Sequence, residues 1–291
     1  MLKSKSGVDN PYLSSKNKSG RWTNMTIRYG CQTYTWQMSY EKYKNSFADI
    51  LDTIKNSGFS GVEAEVCMLG SFYNDSNLLQ EALAMRGLEL AALTLALPWL
   101  GAVETKQERD EADRLFKYLK QFPKTKLILV QLPGDDRSNL EERQRNGLSC
   151  VNAVAQRAYD SGIISAFHPN SPNGSVFRTA KDYEVMFSGL DYRYVGYCPD
   201  SGHIARGGMD VMEVFRNNGP QILHVHFKDI SMNHQWRTMG QGVIDHKEIV
   251  NLLQNTGYTG WVMVEEESNE AEANPVQATT DNGLYVNTVL Q

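Results

Sequence analysis

The sequence predicts an α/β fold built as a single (β/α)8 barrel, and three observations lead there. From Ile27 onward, short β-like runs alternate with amphipathic helical stretches. Eight such runs fit into the 291 residues, which is the strand count and size of this barrel. The competing architecture, a doubly wound open sheet, normally carries a Gly-rich phosphate loop after its first strand. Here the first run leads into "CQTYTWQM", and no GxGxxG or GxxxxGK[ST] occurs anywhere.

The β-like runs are Ile27–Tyr34, Gly61–Val66, Leu88–Leu95, Lys126–Gln131, Ile163–His168, Tyr194–Cys198, Ile222–Phe227 and Trp261–Glu265. Between the first two, Tyr40–Asn56 carries Phe47, Ile50, Leu51 and Ile54 at helical spacing. Gln107–Gln121 and Glu141–Tyr159 are long and charged on one face. Asp245 is placed to cap a helix running to Asn255 over Ile249, Leu252 and Leu253. Gly closes several helices just before a strand, in "NSGFSG", "MRGLEL", "DSGII" and "NTGYTG". Such alternation makes the strands parallel, with helices as crossovers.

Residues 1–24 are polar, rich in Ser, Lys and Asn, and read as a flexible tail; residues 25–291 form the barrel domain. No apolar segment follows the basic start, so the tail is not a secretory signal. Hydrophobic residues at 41% and charged residues at 22% are ordinary globular usage and exclude wholesale disorder. The net charge of −5 argues against a nucleic-acid partner held by a basic surface and suits a cytoplasmic protein. No apolar run reaches the roughly 18 residues of a membrane span, so no membrane partner is expected. Four scattered Cys, with no CxxC, read as reduced thiols. The six His all fall between His168 and His246, which points to chemistry late in the chain.

Barrel enzymes of this kind place their active groups at the C-terminal ends of the strands. Metal-capable side chains there are Glu63 and Glu65 on strand two, His168 on five, Asp200 and His203 after six, His224 and His226 on seven, and Glu265, Glu266 and Glu267 on eight. Alternation puts His224 and His226 on one face, with His226 nearer the rim and His224 a deeper, packed core residue. Glu265 and Glu267 share a face, and Glu265 is the first polar residue after "WVMV". His168, Asp200, His226 and Glu265 therefore form a mixed nitrogen and oxygen set on four consecutive strands. Strands about 4.8 Å apart bring such ends together. Two imidazoles and two carboxylates suit a divalent metal such as Mn, Co, Mg, Fe or Zn.

At "PDSGH", "HVHFKD", "GQGVID" and "GWVMVEEE" the sequence resembles the sugar isomerase/epimerase superfamily with the xylose isomerase-like TIM barrel. Within it the chain looks most like inosose dehydratase and keto-sugar lyases. The resemblance runs from about Ile27 to the C-terminus. It implies a metal set with a carboxylate on strand five, an Asp on six, a His on seven and a Glu on eight. Asp200, His226 and Glu265 match, and His203 takes the D-x-x-H position. Strand five departs, with His168 where many epimerases have Glu. That departure weakens the epimerase logic of one metal-bound Glu on each face of the substrate and shifts weight to dehydratase or lyase chemistry.

The expected reaction is that of a metal-dependent carbon–oxygen lyase. A divalent metal polarises a substrate ketone, a base removes the α-proton to give a metal-stabilised enolate, and a β-hydroxyl or glycosidic oxygen leaves. Candidate acids and bases are His203, Glu65, Lys228 and Glu267, with His203 leading because it titrates near neutrality. Candidate substrate contacts are Trp36, Asn170, Arg178, Arg206 and Trp236, with Trp99 a further aromatic past strand three. Arg137 reads as a salt-bridge residue. The expected partner is a small carbohydrate or cyclitol; a homo-oligomer is compatible with the sequence. The alternatives are a ketose isomerase or epimerase on the same scaffold, a non-catalytic sugar binder, and a barrel-type DNA-repair endonuclease, which the acidic charge disfavours.

Overall fold

The eight parallel strands close into a barrel. The computed structural model describes residues 26–291; the tail expected over 1–24 lies outside the described residues. The barrel strands are β1 (Arg28–Gln32), β2 (Gly61–Glu65), β3 (Glu89–Leu97), β4 (Lys126–Gln131), β5 (Ser165–Phe167), β6 (Val195–Tyr197), β7 (Val225–Phe227) and β10 (Trp261–Val264). They run in the order β6-β5-β4-β3-β2-β1-β10-β7. Two parallel bridges, Tyr197 to Ile222 and Asp200 to His226, complete the ring between β6 and β7. An unforeseen antiparallel hairpin, β8 (Asp229–Ile230) with β9 (Trp236–Arg237), stands in the loop after β7.

Period-two alternation sorts the strand residues into two compartments. Leu127, Leu129, Val225, Phe227, Val262 and Val264 face outward and share one core with helix residues such as Ile50, Leu51, Leu115, Val151 and Ile249. Their neighbours fill the lumen in two small clusters. One holds Ala92, Ile128, Ala166 and Cys198, and the other Ala91, Trp261 and Met263. Small residues make room for the large ones: a Cβ on Gly61 would lie 2.5 Å from the Trp261 ring. The same alternation, carried two residues further, delivers His168, Asp200, His226 and Glu265 to the C-terminal mouth.

Helix starts follow the expected capping chemistry. Asp245 accepts the Glu248 N–H at 2.9 Å, and Thr105 with Glu108 forms a capping box for Lys106–Leu119. Gly58, Gly87, Gly162 and Gly257 all have positive φ just past helix ends, the left-handed geometry that Gly adopts without a Cβ penalty. The helix expected over Tyr40–Asn56 is two pieces, Tyr40–Tyr43 and Phe47–Asn56. Only the second carries buried residues, Phe47, Ile50, Leu51 and Ile54, so only it has packing to sustain it. No described helix is long and apolar enough to cross a membrane, and the four Cys are unpaired.

Candidate metal centre and active site

The strands end early at the mouth, and that sets the geometry. Pro199 follows β6 closely, and Asp200 then caps the helix Ser201–Arg206, its Oδ1 accepting the His203 N–H at 2.8 Å. The other oxygen, Oδ2, points to His168 Nε2 at 3.5 Å. His226 Nδ1 lies 2.8 Å from Glu265 Oε2. One donor atom from each of His168, Asp200, His226 and Glu265 falls within 4.8 Å of all the others, and all four residues are buried. Asp200 Oδ2 and both ring nitrogens of His168 have no hydrogen-bond partner among the described residues. Buried polar atoms are normally satisfied. A carboxylate oxygen and an imidazole nitrogen left without hydrogen-bond partners 3.5 Å apart, beside donors from His226 and Glu265, fit a divalent cation.

Lys228 is buried beside this cluster, at 1% exposure. It does not pair with Asp229. Its Nζ lies 2.7 Å from Glu265 Oε1, contacts Glu267 Oε1, and sits 3.8 Å from Asp200 Oδ2. Burial alone would lower its pKa, but Glu265, Glu267 and Asp200 outweigh that and raise it, so Lys228 stays an ammonium ion. The carboxylates answer in kind. Burial opposes ionisation of Asp200, yet the backbone N–H of His203 and the Lys228 ammonium hold it far below the ordinary range. Burial likewise opposes ionisation of Glu265, and Lys228 and His226 hold it down.

His203 has both ring nitrogens engaged. Nδ1 is 2.8 Å from Ser171 Oγ and Nε2 is 3.0 Å from Lys228 Nζ. Burial, reinforced by Lys228, holds its pKa well below the usual imidazole value, so the ring is neutral. Glu65 is different. Its carboxyl faces the chamber, held by Gln37 Nε2 at 2.8 Å, and burial pushes its pKa up to about 7. Burial also raises Glu267. The mouth therefore carries one carboxyl that titrates near neutrality above a set of fixed charges.

These groups surround a chamber of about 110 Å³ lined by Tyr34, Glu65, His168, Asn170, His203, His226, Glu265 and Glu267, with Ala96, Val130, Leu132 and Pro133 on one side. Four of the five expected substrate contacts lie elsewhere. Trp36 is buried in the core at 2% exposure, because the chain turns after Gln32 into a one-turn helix, Tyr34–Gln37, that swings the indole inward. Tyr34 lines the chamber in its place. Arg178 sits at a helix start, its backbone N–H donating to Asp182, which also pairs with Arg137. Arg206 ends its helix stacked 4.8 Å over the Trp236 ring. Trp236 packs edge-on to His203 at 5.3 Å and backs the chamber wall without lining it. Trp99 is fully buried, its backbone N–H donating to Glu108. Asn170 does line the chamber, tied to the Gln131 carbonyl at 3.1 Å.

Two other groups carry little signal in the sequence. Ser171 lies in a loop with no periodicity. Asp229, 2% exposed, accepts backbone N–H groups from Ile230, Gly240, Gly242 and Ile244 at 2.9–3.3 Å. It folds the segment 230–244 back on its own root and so fixes the hairpin bearing Trp236. Asp229→Ala is expected to make this segment the first site of limited proteolysis, with unchanged digestion elsewhere. His246 is buried against Ser201 and the Lys228 carbonyl, and His234 is exposed on the hairpin turn.

Comparison with known proteins agrees with this architecture. The family model described as xylose isomerase-like TIM barrel matches residues 51–282, and the chain belongs to that family. An inosose dehydratase from Clostridium botulinum is 25% identical over 278 residues, covering 84% of this chain and 89% of its own. The Escherichia coli 3-keto-D-glucoside 4-epimerase YcjR superposes with a TM-score of 0.69 at 17% identity, covering 90% of this chain and 100% of its own. The IOLI protein, solved with a bound zinc atom, superposes with a TM-score of 0.70 at 17% identity, covering 91% and 98%. At these identities the two structures show the shared fold.

Proposed function

We propose that the chain is a divalent-metal-dependent carbon–oxygen lyase that removes water from an inosose or a related keto-sugar or keto-glycoside. The observation that carries this reading is the buried cluster of His168, Asp200, His226 and Glu265, in which Asp200 Oδ2 and the His168 ring nitrogens have no hydrogen-bond partner among the described residues. These four residues would hold the ion. Mn, Co, Mg and Zn all suit a set of two imidazoles and two carboxylates. When bound, the ion supplies Lewis acidity to a substrate carbonyl and its neighbouring hydroxyl.

The chain's own residues do the proton work. The sequence favours His203 as base, but its nitrogens are committed to Ser171 and Lys228. The base is instead Glu65, chamber-facing and poised near neutral pH. It takes the proton from the carbon next to the ketone, and that electron pair forms the new C=C bond as the β-hydroxyl leaves. The His203–Lys228–Glu267 group donates the proton with which the hydroxyl departs as water. Tyr34 and Asn170 line the space for the ring and hold it against Glu65.

A base must be deprotonated, so kcat/KM is expected to rise with pH through about 7 and then level. Glu65→Gln should abolish that limb and lower kcat by roughly 10²–10⁴-fold, read from a pH–rate profile. The function itself is tested with Mn²⁺ or Co²⁺ and a panel of inososes, 3-keto-glucosides and free ketoses, read by mass spectrometry. Loss of one water from a panel member is the expected result. A product that has lost no water but has taken up solvent deuterium at the α-carbon would instead establish the epimerase reading.

A further inference from the structure

Glu63 lies one lumen layer below the four clustered donors and is not one of them. Its carboxylate is fully buried. Oε1 accepts from Thr94 Oγ1 at 2.7 Å and lies 3.0 Å from His226 Nε2. Oε2 is 2.7 Å from His224 Nε2 and 3.1 Å from His226 Nε2. With Thr94, His224 and His226 all converging on one buried carboxylate, Glu63 is the acceptor in each contact and the partner donates. His226 therefore carries hydrogen on Nε2, the nitrogen that faces down into the barrel. Its other nitrogen, Nδ1, faces the mouth 2.8 Å from Glu265 Oε2, so without metal it too is placed to carry hydrogen, which a cation bound there would displace.

An imidazole binds a cation through the nitrogen whose lone pair is free, and the hydrogen bond made by the other nitrogen decides which one that is. We infer that Glu63 is a positioning residue for the metal centre. Its carboxylate anchors the Nε2–H of His226 from below and so presents Nδ1 to the cluster as the donor atom. His224 and Thr94 complete the device. Each occupies one Glu63 oxygen, which keeps the carboxylate from rotating away from His226. The residue ties β2 to β7 across the lumen, so the ring orientation of a strand-seven ligand is set by a strand three places away in the sheet order. This inference rests on the metal reading proposed above.

Two measurements test it, and the first needs no metal. In metal-free protein with nitrogen-15-labelled histidine, two-bond proton–nitrogen correlation reports which ring nitrogen of His226 carries hydrogen. The expected result is a protonated Nε2 in the wild-type chain; a bare Nε2 overturns the inference, whatever any variant does. The second is Co²⁺ titration by calorimetry and visible absorption. Glu63→Gln keeps the shape but can turn an N–H toward His226. It is expected to weaken Co²⁺ binding by about 10–100-fold and to shift the absorption band, while circular dichroism stays that of the wild type. A folded Glu63→Gln chain with wild-type affinity and band would overturn the inference and leave Glu63 a packing residue. A wild-type chain that takes up no Co²⁺ would overturn the metal reading instead, and the nitrogen-15 result then judges the tautomer alone.

Discussion

His226→Ala and Asp200→Asn are each expected to remove stoichiometric divalent-ion uptake and to lower kcat by at least about 10³-fold, equivalent to some 4 kcal/mol of transition-state stabilisation. Elemental analysis after dialysis against Mn²⁺ or Co²⁺ checks the first, and turnover of the substrate found in the panel checks the second. The reason lies in how the two side chains are held. Asp200 has one oxygen spent on the His203 backbone and the other free and buried. The Asn variant can still cap the helix but offers a neutral amide to the cluster. His226 has one nitrogen spent on Glu63 and the other at the mouth. A reconstituted wild-type protein without an ion would sink the proposed mechanism outright. A fully active Asp200→Asn chain would remove Asp200 from the proposed ligand set.

The second large effect is on stability. Lys228→Met is expected to destabilise the metal-free protein by about 3–5 kcal/mol, the usual cost of leaving buried charges without their partner. Removing the ammonium leaves Glu265, Asp200 and Glu267 facing one another in a buried site. Added Mn²⁺ or Co²⁺ should restore part of the loss, because a cation in the cluster supplies the missing positive charge. The pH dependence follows from the directions of the shifts. Lys228 has a raised pKa, so its contribution is complete below the unfolded-state value of about 10.4 and is lost only as pH climbs through the folded value. Asp200 and Glu265 are depressed, so their contributions are complete above the unfolded carboxylate values and vanish as pH falls through the folded ones. The deficit of Lys228→Met should thus be flat across neutral pH. Thermal melts with and without metal measure both points. Equal melting temperatures for variant and wild type would show that the buried ammonium contributes nothing.

The barrel and the strand-borne part of its mouth were legible because they rest on local periodicity. Alternation alone separates His226 from Phe227 and Glu265 from Val264, and it places His224 one layer down, where it is found fully buried. Gly after several helices and Asp before some of them mark where the chain turns. The same rule places Tyr34 on the face of Gln32 and could have found it. What periodicity cannot supply is the path of the loops. Trp36, Arg178 and Arg206 all lie in the segments that follow β1, β5 and β6, yet capping and turning contacts carry them away from the chamber. Lys228 resembles a surface Lys beside Asp229 until the fold brings it to residues on other strands. Glu63 shows the limit most clearly. Its partner His226 is 163 positions away, and no spacing rule joins the two.

The barrel seam has a consequence for motion. β6 and β7 are only three residues each and meet through two isolated bridges, one of them between Asp200 and His226. The weakest join in the ring therefore coincides with two of the proposed ligands. An ion held by both would act as a staple across that join. Local opening exposes amides that the closed form protects, and such openings draw on the least stable units of a fold. The amides of Leu223 and His226, which bond to Tyr197 and Pro199 across the seam, should therefore exchange hydrogen faster in metal-free protein than in loaded protein. Amides of β3 and β4, joined by a six-residue register, should barely respond. Loss of the ion would then be felt first as a breathing of the barrel wall.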